Sequence, residues 1–165
     1  MAMLAAMSRE VPPVDRVGGS SFAVHLAAAP EHIATFRHEL RHWLQGLTLK
    51  PAQMHDILLA AGEAVTNAIE HGSRSDATQS VSVEAALHRE TVTVVVSDGG
   101  RWIESTNAPL TPTQHRGRGL FLMEGLADRL AIDGTDHGTR VTMHFDVPAA
   151  AGRRTGARLS EPREC

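Results

Sequence analysis

The sequence predicts an α/β fold, a two-layer sandwich in which helices cover one face of a mixed, mostly antiparallel sheet. Two observations support this prediction: short alternating apolar runs joined by hairpin-like turns, and helical patterns long enough to cover a sheet. A chain of 165 residues can bury one substantial core, and we expect one domain over residues 20–147. Residues 1–19 are predicted to be a flexible tail, and residues 148–165, rich in Ala, Gly, Arg and Glu, a disordered one.

The first half of the predicted domain is a strand followed by two helices. Residues 20–26 alternate apolar and polar side chains, as a half-buried strand does. Pro30 then begins a helix whose apolar residues recur at spacings of three and four up to Gly46. Pro51 begins a second helix with a similar stripe, and Gly72 provides a glycine stop at its end.

The second half is predicted as a hairpin, a loop, a helix and a final pair of strands. The hairpin strands are residues 80–87 and 91–96, and the loop is residues 99–117. The helix is residues 118–130, and the final strands are residues 129–133 and 139–147. The strand segments are rich in β-branched residues, and a short polar turn joins the first two. The loop is long and polar, which is typical of a lid. The helix is expected to carry Leu122, Leu126 and Leu130 on one side, each one turn from the next.

Composition excludes several classes of protein. The net charge is −3 with the signs mixed along the chain, so direct binding to nucleic acid is not expected. The single cysteine, Cys165, provides neither a disulfide framework nor a cysteine-based metal site, and it suits a reducing compartment. No apolar run approaches the ~20 residues of a membrane span, and the apolar start lacks a basic signal-peptide region. We therefore expect a cytoplasmic protein that does not bind membranes.

Three short segments carry the chemical information: Glu63–His71 on the second helix, Ser97–Gly100 after a strand, and Arg116–Leu120 before the third helix. On the helix, Glu63 and Asn67 lie one turn apart. A carboxylate that can act as a general base is thus predicted beside an amide oxygen that can ligate Mg²⁺. The same spacing is also typical of the solvent face of an amphipathic helix.

Asp98 follows a hydrophobic strand and precedes two glycines. At that position its carboxylate can accept a hydrogen bond from an adenine amino group, while Gly100 lets the backbone approach the ring. Aspartate before Gly-Gly is also common in ordinary turns, so this segment alone has two interpretations.

The third segment, Arg116-Gly117-Arg118-Gly119-Leu120, opens a helix. Free N–H groups and the helix dipole favour phosphate at such a position, and the two arginines can add positive charge. A flexible loop end has a similar composition. Gly-x-Gly alone is a weak signal, but the three segments in this order are specific.

Together the segments resemble the N, G1 and G2 boxes of the ATPase superfamily that includes gyrase, Hsp90, histidine kinases and MutL. Within it, the motifs are similar to those of bacterial anti-sigma-factor serine kinases of the RsbW and SpoIIAB type. The matching motifs are Glu63-Ala-Val-Thr-Asn67-Ala-Ile-Glu-His71, Gly117-Arg-Gly-Leu-Phe-Leu-Met123 and Gly138-Thr139. The resemblance covers roughly residues 20–147 and implies a Bergerat-type ATP-binding fold.

The resemblance also implies site residues. Glu63 would be the catalytic base that activates a serine hydroxyl, and Asn67 would ligate Mg²⁺ beside bound ATP. The other nucleotide-binding residues would be Asp98, Gly100 and Thr139 near adenine, Arg116, Gly117, Arg118, Gly119 and Leu120 near the phosphates, and His71 at the end of the N box. His71 has an equal alternative as a cation favoured at a helix C-terminus. Trp102 departs from the family pattern, because it occupies the second glycine position of the G1 box.

The function that the resemblance implies is an ATP-dependent anti-sigma factor that is also a protein-serine kinase. It would sequester a sigma factor and be switched by phosphorylating a STAS-domain anti-anti-sigma factor, and a homodimer is expected. The alternative is an ATP-binding module that sequesters a protein partner without phosphoryl transfer. Glu63 argues against this alternative, and Trp102 argues weakly for it.

Two other enzyme classes fit parts of the sequence. His38-Glu39-Leu-Arg-His42 matches the His-Glu-x-x-His pattern of zinc peptidases, which places both imidazoles one helical turn apart. Both histidines lie opposite the apolar stripe of their helix, away from any walled site, so a peptidase is not expected. A sensor histidine kinase needs a helical dimerisation hairpin with a phosphoacceptor histidine. Too few residues precede Glu63 here to supply one, unless the sequence is a fragment.

Overall fold

The computed structural model describes residues 21–72, 78–99, 118–135 and 138–148. Within these ranges the chain forms five strands and three α-helices, and the second helix continues into a π-helical turn. The elements are, in chain order, β1 Ser21–Ala27, α1 His32–Gln45, α2 Pro51–Asn67, the π turn Ala68–Gly72, β2 Ser80–His88, β3 Thr91–Asp98, α3 Arg118–Leu126, β4 Arg129–Thr135 and β5 Gly138–Asp146. The two predicted tails, Gly100, Trp102 and the rest of the predicted loop up to Gly117 lie outside the described residues.

The described strands form one sheet in the order β1-β2-β3-β5-β4. Each neighbouring pair is antiparallel. The predicted hairpin joins β2 to β3, and Arg89 in its tight turn has a φ of 54°. β5 inserts between β3 and β4, so the C-terminal end of β3 lies beside the N-terminal end of β5. This topology confirms the predicted α/β class.

Successive side chains along each strand point to opposite faces of the sheet. On β3, Val92, Val94 and Val96 are buried beneath the helices, whereas Thr91 and Thr93 on the opposite face are half-buried. The helices contribute their own apolar stripes to the same core, and its largest buried side chains are Phe36, Leu40, Leu44, Ile57, Ile69, Met123 and Met143. Because burial of each such side chain contributes roughly 1.5–3 kcal/mol, this core fixes the position of α2 on the sheet.

The third helix differs from its prediction. α3 ends at Leu126, and Leu130 belongs to β4, so the predicted helix over 118–130 is wrong at its C-terminal end. The fully buried residues of α3 are Gly119 and Met123, and Leu126 is partly buried against the core. Leucines four apart continue a helical pattern, but Leu130 and Ile132 also alternate as a strand does, and pairing with β5 selects the strand.

No helix in the described part of the chain is long and apolar enough to cross a membrane.

The C-terminal limit of the domain gives a first prediction. Val147 is buried, and its backbone N–H donates to the Glu90 carbonyl at 2.7 Å. We expect truncation after Val147 to leave the melting temperature and the ATP affinity unchanged, because residues 149–165 carry four Arg and two Glu and little apolar surface. Truncation after Asp146 is the control and should lower stability, since burial of a valine contributes roughly 1.5–3 kcal/mol. A melting temperature below that of the full chain for the variant ending at Val147 would show that the domain extends further.

Candidate nucleotide-binding site

The C-terminal half of α2 positions the predicted acid and amide. Its apolar side, including Ala61, Ala64 and Val65, is buried against the sheet. Glu63 and Asn67 are half-buried and lie one turn apart on another side of the helix. The buried small residues let α2 pack closely on the sheet, and the two polar side chains are thereby held at the surface of the domain.

Gly119 brings the third helix onto this pair. A Cβ at Gly119 would lie 3.0 Å from Asn67 Nδ2, 3.2 Å from Glu63 Oε2 and 3.3 Å from Asn67 Oδ1. The first turn of α3 therefore packs directly against both side chains, at a distance that only a glycine permits without displacement. Two segments that are more than fifty residues apart in sequence thus meet in one place.

The start of α3 supplies hydrogen-bond donors to this place. The first N–H groups of a helix have no partner within the helix, and with the helix dipole they favour an anion. Arg118, the first residue of α3, is exposed, and Leu120 is half-buried against the core. Arg116 and Gly117, which the sequence also predicts at the phosphates, lie outside the described residues.

The predicted adenine-binding residues lie at one end of the sheet. Thr139 on β5 is directly opposite Asp98 on β3, and Thr139 is buried while Asp98 is half-buried. Gly138 permits this arrangement, because a Cβ there would lie only 2.5 Å from the Asp98 carbonyl oxygen. β3 and β5 both contact the π turn that follows Asn67.

The π turn is a feature that sequence analysis did not predict. α2 was expected to continue to Gly72, but its last five residues, Ala68–Gly72, are π-helical. Near the C-terminal end of α2, the Thr66 hydroxyl donates a hydrogen bond to the Gly62 carbonyl at 2.8 Å. A hydrogen bond of this kind tends to bend a helix. π turns are frequent at functional sites. The backbone of His71 belongs to this turn; its side chain lies outside the described part.

Arg37 is a second feature that the sequence did not reveal. A Cβ at Gly62 would lie 2.8 Å from Arg37 Nε and 2.9 Å from Arg37 Nη2, so the guanidinium of this α1 residue rests on the α2 backbone beside Glu63. A glycine inside a helix lowers stability by about 1 kcal/mol relative to alanine. The presence of Gly62 in the middle of α2 is therefore the feature of the sequence that indicates a close contact at this position.

The zinc-peptidase motif lies on α1. His38 and His42 are both exposed on the outer side of α1. Among the described residues, no group of three or more His, Cys, Asp or Glu side chains is placed to hold a metal ion.

Gly119 allows a direct test of the packing between α2 and α3. We expect Gly119→Ala to weaken ATP binding, because the new methyl group would require the Asn67 and Glu63 side chains to move by a few tenths of an ångström. Gly125→Ala on the same helix is the matched control, since nothing lies within 4 Å of a Cβ at that exposed position. Calorimetric titration of both variants with ATP is the measurement. Equal affinities for the two variants would contradict the proposed location of the phosphates.

Comparisons with known proteins show which family this chain resembles. The family described as the histidine kinase-like ATPase domain matches residues 26–145. The anti-sigma F factor of Clostridium novyi is 30% identical in an alignment 99 residues long, and the match covers 55% of this chain and 69% of that protein. The serine-protein kinase RsbW of Bacillus licheniformis is 28% identical in an alignment 127 residues long, and the match covers 70% of this chain and 79% of the kinase.

Solved structures show the same relationship. The RsbU and RsbW domains of Rv1364c from Mycobacterium tuberculosis superimpose with a TM-score of 0.62 at 28% identity, over 76% of this chain and 32% of that chain. A histidine kinase domain from Erythrobacter litoralis gives a TM-score of 0.50 at 20% identity, which is a likeness of fold alone. The resemblance inferred from the sequence is thus confirmed, and the chain belongs to the family of histidine kinase-like ATPase domains.

Proposed function

We propose that this protein is an ATP-dependent anti-sigma factor and protein-serine kinase that phosphorylates a STAS-type anti-anti-sigma factor. The observation that carries the proposal is the packing of Gly119 against Glu63 and Asn67. This packing brings the first turn of a helix next to a carboxylate and an amide. The relatives named anti-sigma F factor and serine-protein kinase RsbW support the same activity.

The residues fit a nucleotide and its metal ion. Mg²⁺ is a hard cation that prefers oxygen ligands, and the Asn67 side chain offers one where the N-terminus of α3 can hold phosphate oxygens. Mg·ATP, when bound, would supply the γ-phosphoryl group. Asn67 would be the protein ligand of the metal ion, and the first N–H groups of α3 would orient the phosphates.

Glu63 is proposed as the catalytic base. Glu63 is half-buried and its carboxylate lies beside Gly119, next to the position proposed for the phosphates, where it would take the proton from the hydroxyl of a substrate serine. A serine hydroxyl is a poor nucleophile until this proton is removed, so the position of Glu63 matters more to transfer than to nucleotide binding.

Asp98 and Thr139 are proposed to select the base of the nucleotide. An ionised carboxylate only accepts hydrogen bonds, so Asp98 would pair with the amino group of adenine and repel the carbonyl oxygen of guanine. Gly100 and His71 complete the proposed set of nucleotide-binding residues, together with Arg116, Gly117, Arg118 and Leu120.

The proposed partners are a sigma factor and an anti-anti-sigma factor of the STAS kind, which would place the protein in the cytoplasm, and we propose that it acts as a homodimer. The alternative is a module that binds ATP and sequesters a partner without phosphoryl transfer. Trp102 favours this alternative, because it replaces a glycine of the G1 pattern.

Reconstitution of the partner switch tests the proposal. In the presence of Mg·ATP, the protein should retain a purified sigma factor and release it when unphosphorylated anti-anti-sigma factor is added. Release should fade as the anti-anti-sigma factor becomes phosphorylated, whereas an anti-anti-sigma factor with its acceptor serine changed to alanine should release the sigma factor persistently. If both forms of the anti-anti-sigma factor behave alike, the module without transfer is the better description.

A further inference from the structure

The outer side of α1 carries a pair of histidines that the proposed function does not use. His38 and His42 are both exposed, whereas the residues that α1 buries, Phe36, Leu40 and Leu44, lie on the opposite side. Residues at positions i and i+4 of a helix have their Cβ atoms about 5–6 Å apart. His38 and His42 therefore leave α1 on the same side, one turn apart, and both are exposed.

Neither imidazole is engaged within the described part of the chain, where no residue forms a hydrogen bond or ion pair with His38 or His42. Binding of a ligand would thus break no existing contact there. Arg37, which precedes His38 on the same helix, directs its guanidinium toward Gly62 on α2, away from the pair.

The chemistry of the pair suits a transition-metal ion. Neutral imidazole is a good ligand for Zn²⁺, Cu²⁺ and Ni²⁺, and two histidines one helical turn apart can bind a single ion. Two protein ligands leave the remaining coordination positions to water. The geometry does not suit Mg²⁺, which prefers oxygen ligands, so the pair is chemically distinct from the proposed nucleotide site.

We propose that His38 and His42 chelate one divalent transition-metal ion on the outer side of α1. Among the available divalent ions, Cu²⁺ should bind most tightly, because affinity for a given nitrogen site rises along the series to copper. These two residues are not part of the proposed nucleotide site, so a metal ion can bind to α1 while the nucleotide site is empty.

Titration of the nucleotide-free full chain with Cu²⁺ tests the proposal. With glycine as a competing ligand, calorimetry should detect one tight equivalent in the wild type. His38→Ala and His42→Ala should each weaken it at least about tenfold, because a single imidazole loses the advantage of intramolecular chelation. His55→Ala is the matched control, since His55 is exposed on α2 and has no histidine one turn away. Unchanged binding in His38→Ala would overturn the proposal.

The spacing of the pair can be tested without changing the number of histidines. Adding Arg41→His to the His42→Ala variant restores a neighbour at i+3, which also lies on the same side of the helix, and should restore tight binding. Adding Glu39→His instead places the two imidazoles about 100° apart around the helix and should not. Restored binding in the Glu39→His variant would show that chelation across one turn is not the cause, and circular dichroism verifies that each variant remains folded.

Discussion

Replacement of Glu63 by glutamine is expected to lower phosphoryl transfer about 10²–10⁴-fold, the usual contribution of a positioned general base. The amide has nearly the same shape as the carboxylate, so the contact between Gly119 and α2 should remain. ATP affinity and binding of the sigma factor should also remain, because neither is assigned to the Glu63 charge. The measurement is the rate of phosphoserine formation on a purified anti-anti-sigma factor, beside a calorimetric titration with Mg·ATP.

Asn67→Ala is the comparison that separates catalysis from binding. Its amide oxygen is proposed to ligate Mg²⁺, so this variant should lose the part of ATP affinity that depends on Mg²⁺ and should lose transfer as a consequence. Glu63→Gln should lose transfer alone. A wild-type rate of transfer in Glu63→Gln would show that another group is the base.

Removal of the Asp98 carboxylate is expected to weaken ATP binding by ~1–3 kcal/mol, or about 5- to 150-fold, because the adenine amino group loses its acceptor in a partly buried site. Preference for ATP over GTP should fall at the same time, since no carboxylate then opposes the guanine carbonyl. Asp98→Ala is titrated with both nucleotides, with Asp133→Ala, an exposed aspartate on β4, as the control. Unchanged ATP affinity in Asp98→Ala would place the adenine elsewhere.

Much of the fold follows from local patterns in the sequence. The alternation in β2 and β3 and the apolar stripe of α1 each depend on one element and its own period, and the structure has these elements within a few residues of their predicted bounds. The end of α3 was not predictable in this way. The segment from Leu126 to Leu130 satisfies a helical and a strand pattern together, and only the partner strand β5 decides between them.

The site shows the same division between local and long-range information. The spacing of Glu63 and Asn67 was readable from the sequence, because one helix carries both residues. Their contact with Gly119, the position of Arg37 over Gly62 and the π turn after Asn67 were not, since each depends on how separate elements pack together. Gly62 and Gly119 are the residues in the sequence that reflect two of these contacts, because each leaves room for a side chain from another element.

The residues around Gly119 are proposed to transfer a phosphoryl group from ATP to a serine. The most direct test of this transfer is incubation of the wild-type protein with Mg·ATP labelled in the γ-phosphate and a purified STAS-domain anti-anti-sigma factor, followed by mass spectrometry of the acceptor. We expect one phosphoserine on that domain, absent when Glu63→Gln replaces the wild type over the same time. ATP binding at this site with no phosphoserine formed would contradict it.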